Sequence, residues 1–229
     1  MLTEQRSYRF ADLIRHGEVE GDRCFRGRRD DPLSAAGWAQ LEAATGIPVP
    51  IEGAIQGSAR SAARSAAKGR IKDRSGTVAW DRLLCSPAAR CARFTERLSE
   101  RMGLPVEPLE ALRERDFGAW EGLRADQIPL ADLSRFWADP DAFDPPDSEP
   151  FRIFRQRVMD GWRQALEGGG EQLLLLTHGG VIRVILGALL GIPSQRLILL
   201  EVPTACRTRL RLPTQGGLPS LIAHGRPDV

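Results

Sequence analysis

Two histidines stand where an apolar run gives way to glycine. Leu13-Ile14 leads into Arg15-His16-Gly17-Glu18 near the start, and Leu173-Leu174-Leu175-Leu176 leads into Thr177-His178-Gly179-Gly180 far downstream. A short apolar run that stops at glycine reads as a buried strand leaving a sheet. In open α/β sheets, ligands bind beyond the carboxyl ends of the strands. If these two strands are neighbours, both imidazoles enter one crevice with Arg15 beside them. One strand-end histidine is more often a satisfied structural residue than a catalyst. Two in matching context, in a chain with only three histidines, point to a site.

The elements that must position them alternate. Tyr8–Ile14 reads as a first strand, and Ser34 as the N-cap of a helix over Ala35–Ala44, with Trp38 and Leu41 on one face. Arg82–Cys85 reads as a second strand. Ser86-Pro87 then opens a helix to about Arg101, with Ser at the N-cap and Pro at the first helical position. Arg90 lies in that helix's first turn, and helical side chains lean toward the N-terminus, so its guanidinium can reach the sheet's carboxyl edge. Leu104–Val106 is a short strand. Phe151–Glu167 is an amphipathic helix stopped by Gly168-Gly169-Gly170, followed by strand Gln172–Thr177 and helix Val181–Leu190. Strand-like runs follow at Leu197–Val202, Arg207–Leu212 and Leu218–Ala223. This alternation implies an α/β fold, a three-layer α/β/α sandwich with a mostly parallel central sheet.

Composition narrows the class. The chain has 229 residues, 42% hydrophobic and 27% charged, as expected of one globular domain spanning 1–229. No stretch approaches the length of a membrane span, and the N-terminus lacks the apolar core of a signal peptide, so a cytoplasmic protein without a membrane partner is expected. Cys24, Cys85, Cys91 and Cys206 form no C-x-x-C pair and no zinc-spaced cluster, so no metal site can be read. The formal charge of +2 hides an asymmetry. Residues 54–74 carry six bases against Asp73, and the remainder holds 26 bases and 29 acids, a net of −3. That argues against nucleic acid as the main partner. Residues 47–79 are Ala/Ser/Arg/Gly-rich and long for a connection, and they read as a basic, low-complexity surface insertion. An edge strand near the C-terminus could pair in a homodimer, though nothing in the sequence requires it.

Five motifs in order carry a resemblance. Arg15-His16-Gly17-Glu18, Asp30-Asp31-Pro32-Leu33-Ser34 with Gly37 and Gln40, Cys85-Ser86-Pro87 with Arg90, Glu114 through Gly122, and Thr177-His178-Gly179-Gly180 resemble the signature of the histidine phosphatase superfamily, the phosphoglycerate mutase-like proteins. The resemblance covers nearly the whole chain apart from 47–79. It implies two-step phosphoryl transfer through a phosphohistidine, with no cofactor and no metal. His16 is then the nucleophile, and Arg15, Arg90, His178 and Gly179 hold the phosphate. Glu114 is the acid and base for the leaving group and the attacking water. Many relatives carry asparagine where Asp22 stands. An acid there would repel phosphate, so Asp22 is expected to point away, with Arg23, Arg26 or Arg28 as substitutes. Arg26, Gly27 and Glu149 are candidate substrate contacts, and Pro146-Asp147-Ser148-Glu149 departs from the frequent P-G-G-E.

The region 114–150, a cap over the pocket, holds ten acids and only Arg115, Arg124 and Arg135 as bases. Phosphoglycerates need a basic cap, so a small-molecule phosphomonoester with a neutral body is expected. The Arg-His-Gly-Glu-Val-Glu-Gly start, Phe25-Arg26-Gly27 and Phe136–Pro140 look most like α-ribazole phosphatase-type proteins, which act in cobalamin nucleotide-loop assembly. A broad-specificity sugar or nucleotide phosphatase and a phosphoglycerate mutase are the alternative enzymes. A non-catalytic binding module would be expected to have lost one of His16, Arg15, Arg90, Glu114 or His178, and all five are present.

Overall fold

In a computed structural model, residues 8–49 and 80–226 are described. The expected insertion lies outside them from residue 50 onward. Its first residues are part of the body, since Ile47 and Val49 are buried in the core.

Six strands form one sheet: β1 (Tyr8–Arg15), β2 (Arg82–Cys85), β3 (Val106–Pro108), β4 (Gln172–Thr177), β5 (Arg207–Pro213) and β6 (Ser220–Gly225). Their spatial order is β3-β2-β4-β1-β5-β6. The first four in that order run parallel, and β5 and β6 add antiparallel pairings. The run Leu173–Leu176 is continuously apolar because β4 is central and covered on both faces. Its Leu173 and Leu175 meet α4 (Phe151–Glu167) and α5 (Gly179–Leu190), packing with Phe154, Val158, Trp162 and Ile185. Leu174 and Leu176 meet α1 (Ala35–Thr45) and α2 (Ala89–Met102), through Leu41, Phe94 and Leu98. The three layers expected from the alternation are therefore present. A third apolar cluster of Trp120, Ile128 and Leu133, with Phe25, Phe117, Phe136 and Phe143 against it, builds the cap around α3 (Leu130–Ala138).

Local chemistry explains most boundaries. Ser34 caps α1 by accepting from the Gly37 N–H, and Gly46 ends it in the left-handed region at φ 70°. Three expectations need correction. The run 197–202 is not a strand: Ser194–Leu199 is a 3₁₀ turn that buries Leu197 against Gly187 and leaves Ile198 and Leu199 exposed. The third strand begins at Val106, two residues later than Leu104. Helix α2 begins at Ala89, and Ser86 does not cap it. The Ala89 N–H instead donates to Asp30 Oδ1 at 2.7 Å, so the cap comes from another loop. No helix among the described residues is long and apolar enough to cross a membrane.

Candidate active site

Strand register brings the histidines together. β1 and β4 are parallel neighbours with Arg15 opposite Thr177, so the next residues, His16 and His178, leave the sheet side by side. The His16 N–H donates to the Thr177 carbonyl at 2.9 Å, and the two ring centroids are 5.3 Å apart. The chain after β1 turns to the α1/α2 face and the chain after β4 to the α4/α5 face. This divergence opens the crevice where ligands bind in such sheets.

His16 is 8% exposed and His178 is fully buried. The His16 Nδ1 lies 2.8 Å from the Gly17 carbonyl, which can only accept, so Nδ1 carries the hydrogen and Nε2 carries the lone pair. Burial, then the Arg90 and Arg15 cations, hold His16 well below the usual imidazole value. Burial and then Arg90 do the same to His178. Both rings are neutral at neutral pH.

The backbone that presents His16 is fixed by glycine. A Cβ on Gly37 would lie 1.9 Å from the Glu18 carbonyl oxygen, so only glycine lets α1 approach the loop after β1. Gln40 Oε1 accepts from the Glu18 N–H at 2.9 Å on the same face. The spacing of the second motif is thus a docking device for the first.

Arg90, fully buried, donates to the carbonyls of Arg29 at 2.5 Å and Gly27 at 3.1 Å. Arg15 donates through a terminal nitrogen to the Val202 carbonyl at 2.6 Å. In each case Nε is buried and has no partner within the protein, and so is Nδ1 of His178. Buried donors are normally satisfied. Three such donors belong to the three residues that surround His16, an arrangement that can take the oxygens of a tetrahedral anion.

Glu114 stands on the α5 side. Its Oε2 accepts from the Gly180 N–H at 2.9 Å and its Oε1 from the Arg115 N–H at 3.0 Å. A cavity of about 230 Å³ opens beside it, walled by Phe25, Phe117, Phe136, Trp137, Phe151 and Phe154, with Arg115 and Arg183 as its charged lining. The acids of the cap are turned elsewhere: Asp144 to Arg115, Asp116 to Arg28, Asp126 to Arg124, and Glu149 to Arg157. The wall beside Glu114 is aromatic rather than acidic.

The remaining candidates are placed as follows. Gly179 starts α5 beside Arg15, whose Nε would lie 3.6 Å from a Cβ there. Asp22 is exposed. Arg26 is committed to Asp31 at 2.5 Å and to the Asp22 carbonyl, yet its charge still reaches His16. Arg28 is exposed and paired with Asp116. Gly27 serves the site through its backbone, its N–H on Glu121 and its carbonyl under Arg90. The carboxylate of Glu149 is taken up by Arg157 and does not line the cavity.

Two contributors carried no site role in the sequence, where Ser86 read only as a helix cap. Ser86 Oγ lies 2.7 Å from His178 Nε2, and Glu121 accepts from the N–H groups of Gly27, Arg28, Arg29 and Phe117. Both lie inside motifs, which was the available signal. Among the described residues, no three His, Cys, Asp or Glu are grouped to hold a metal ion.

The model of the histidine phosphatase superfamily (branch 1) matches residues 62–223. The chain belongs to that superfamily. The matched span contains Arg90, Glu114 and His178, while Arg15 and His16 precede it and join the site through the β1–β4 register. The chain is 28% identical over 202 residues to the adenosylcobalamin/α-ribazole phosphatase of Escherichia coli (strain K12), covering 85% of each chain. It is also 28% identical over 198 residues to a bifunctional protein of Mycobacterium tuberculosis (strain H37Rv). That match covers 84% of this chain and 47% of the other, so the chain spans about half the length of that relative. The α-ribazole phosphatase of Shigella flexneri superposes with a TM-score of 0.68 at 23% identity, covering 95% of this chain and 96% of that one, which shows the shared fold.

Proposed function

We propose that this histidine phosphatase hydrolyses phosphomonoesters through a phosphohistidine on His16, and that α-ribazole 5′-phosphate is its substrate. The observation that carries the chemistry is the set of buried, unpartnered donors on Arg15, Arg90 and His178 around a neutral imidazole. The phosphate oxygens satisfy these donors. The negative charge that spreads over those oxygens in the transition state strengthens the contacts. His16 Nε2 attacks phosphorus in line, the P–O bond to the alcohol breaks, and protonated Glu114 gives its proton to the leaving oxygen. Water then attacks the phosphohistidine, its proton passes to the Glu114 carboxylate, and the P–N bond breaks to release phosphate. His178 donates from Nδ1 in both steps.

The aromatic cavity beside Glu114 supports the substrate. The alcohol half of the ester must leave on that side, and the wall of Phe25, Phe117, Phe136 and Trp137 suits a flat apolar base. α-Ribazole carries a ribose on such a base. The similarity to the Escherichia coli enzyme points the same way.

The test is acid-labile, base-stable phosphate on His16, absent in His16→Ala, together with kcat/KM for α-ribazole 5′-phosphate, 3-phosphoglycerate and p-nitrophenyl phosphate. Turnover that persists in His16→Ala, or that a chelator abolishes, overturns the mechanism. Lack of preference for α-ribazole 5′-phosphate overturns only the substrate and leaves a broad-specificity phosphatase. Preference for 3-phosphoglycerate with isomerised product makes the protein a mutase.

A further inference from the structure

Glu114 sits in a segment without regular structure. Residues 113–117 belong to no helix and no strand, so no backbone ladder holds them. One guanidinium ties three carbonyls in and beside this segment to a helix. Arg157, midway along α4, donates from one terminal nitrogen to the carbonyls of Ala111 at 2.9 Å and Arg113 at 2.8 Å. Its other terminal nitrogen donates to the Glu114 carbonyl at 3.1 Å and to Glu149 Oε2 at 2.7 Å, and its Nε donates to Glu149 Oε1 at 2.7 Å. All five donors of the side chain are used.

Glu149 closes the arrangement. Its carboxylate takes the fork of Arg157 bidentately, its N–H donates to the Asp116 carbonyl, and its own carbonyl accepts from Arg115 Nε. The Phe154 ring lies 5.0 Å from the Arg157 guanidinium carbon and limits its freedom. A lysine, with one compact charge and three donors, cannot reproduce this planar fork.

We propose that Arg157 is a positioning residue for Glu114, locked in place by Glu149, and that its role is to aim the acid at the leaving oxygen. A group aimed this way matters in proportion to how much the leaving group needs a proton. Ribose 5-phosphate releases an alkoxide and needs it, whereas p-nitrophenyl phosphate releases a stable phenolate and does not. The ratio kcat/KM isolates the first transfer, before the water step in which Glu114 acts as base.

The experiment compares Arg157→Lys, Arg157→Gln, Glu149→Gln and the reference Glu114→Gln on both substrates, with Tm for each. The expected result is a fall of about tenfold or more on ribose 5-phosphate and less than about threefold on p-nitrophenyl phosphate, the pattern Glu114→Gln shows more strongly. Equal falls on both substrates, or no fall on either, overturn the positioning role. Failure of both Arg157 variants and Glu149→Gln to fold also overturns it, in favour of a purely structural one. The inference rests on Glu114 as the acid: if Glu114→Gln shows no dependence on leaving group, that reading fails. If Glu114→Gln shows it and the Arg157 variants do not, only the positioning role fails.

Discussion

His16 and His178 face each other with ring centroids 5.3 Å apart and planes inclined by 65°, one residue beyond paired positions of two parallel strands. Neither ring can protonate cheaply: burial and the Arg90 guanidinium oppose it in both. The same cations that could take an anion keep the His16 imidazole neutral.

That electrostatic arrangement sets a pH signature. The unfolded chain takes up protons on these imidazoles below about pH 6.5, and the folded chain does so only at lower pH. Their contribution to stability is complete above that point and is lost as pH falls through the window between the two values. His224 behaves oppositely. A hydrogen bond with Cys206 and one to the Glu201 carbonyl raise it, so its stabilisation fades as pH rises through its folded value. Imidazole ¹⁵N spectra taken as pH falls from 8 should show His224 titrating above 6.5 with His16 and His178 still neutral there, His16 as the Nδ1–H tautomer. Titration of His16 near 6.5 would remove the basis for its neutrality.

Ser86 is the side chain placed to set which nitrogen of His178 carries the hydrogen. Its hydroxyl accepts from the Ala88 N–H at 3.3 Å, which leaves its own hydrogen for His178 Nε2. Nδ1–H is then the donor left facing the site. Ser86→Ala frees the tautomer and should lower kcat/KM by about tenfold, equal to about 1.4 kcal/mol of barrier, with little change in Tm. Ser86→Thr keeps the hydroxyl and should restore most of it. Unchanged turnover in Ser86→Ala would show that the tautomer is set by something else.

Gly180 leaves room for the acid. A Cβ there would lie 2.3 Å from Glu114 Oε1, the end of a flexible side chain, so the carboxylate swings away at little cost to the fold. In Gly180→Ala, Tm should stay within a few degrees while turnover of alkyl phosphates falls by about tenfold or more. A variant as active as the parent would place the working carboxylate elsewhere.

Asp12 tests the sheet rather than the site. It is 1% exposed in β1 and binds Arg207, Arg209 and the Trp80 indole N–H. Asp12→Ala leaves those donors without their shared acceptor and should cost about 3 kcal/mol, at the low end because both arginines are partly solvated. Urea denaturation reads this directly. A loss below about 1 kcal/mol would mean that water takes the place of the carboxylate.

The sequence alone determined the layers and named the candidate site residues. Apolar runs ending at glycine marked β1 and β4, and Phe151–Glu167 read as a helix with both ends correct, because periodicity and glycine stops are local properties of the chain. The segment 197–202 misled, because Leu197 is apolar for its place in the α4/α5 core beside Gly187, a tertiary contact that no local pattern records. Ser86 looked like a cap because its local sequence suits one. Asp30, 59 residues before Ala89, supplies the cap and frees Ser86 for His178.

What only the tertiary structure decided is which groups come together in the candidate site and which hold them there. Strand register made neighbours of His16 and His178. Arg157 and Glu149 met the Glu114 segment through backbone carbonyls, whose chemistry is the same at every residue and so leaves no mark in a sequence. The acids of the cap counted toward charge in the sequence. In the fold Asp116, Asp126, Asp132, Asp144 and Glu149 pair with arginines, and the wall beside Glu114 is aromatic.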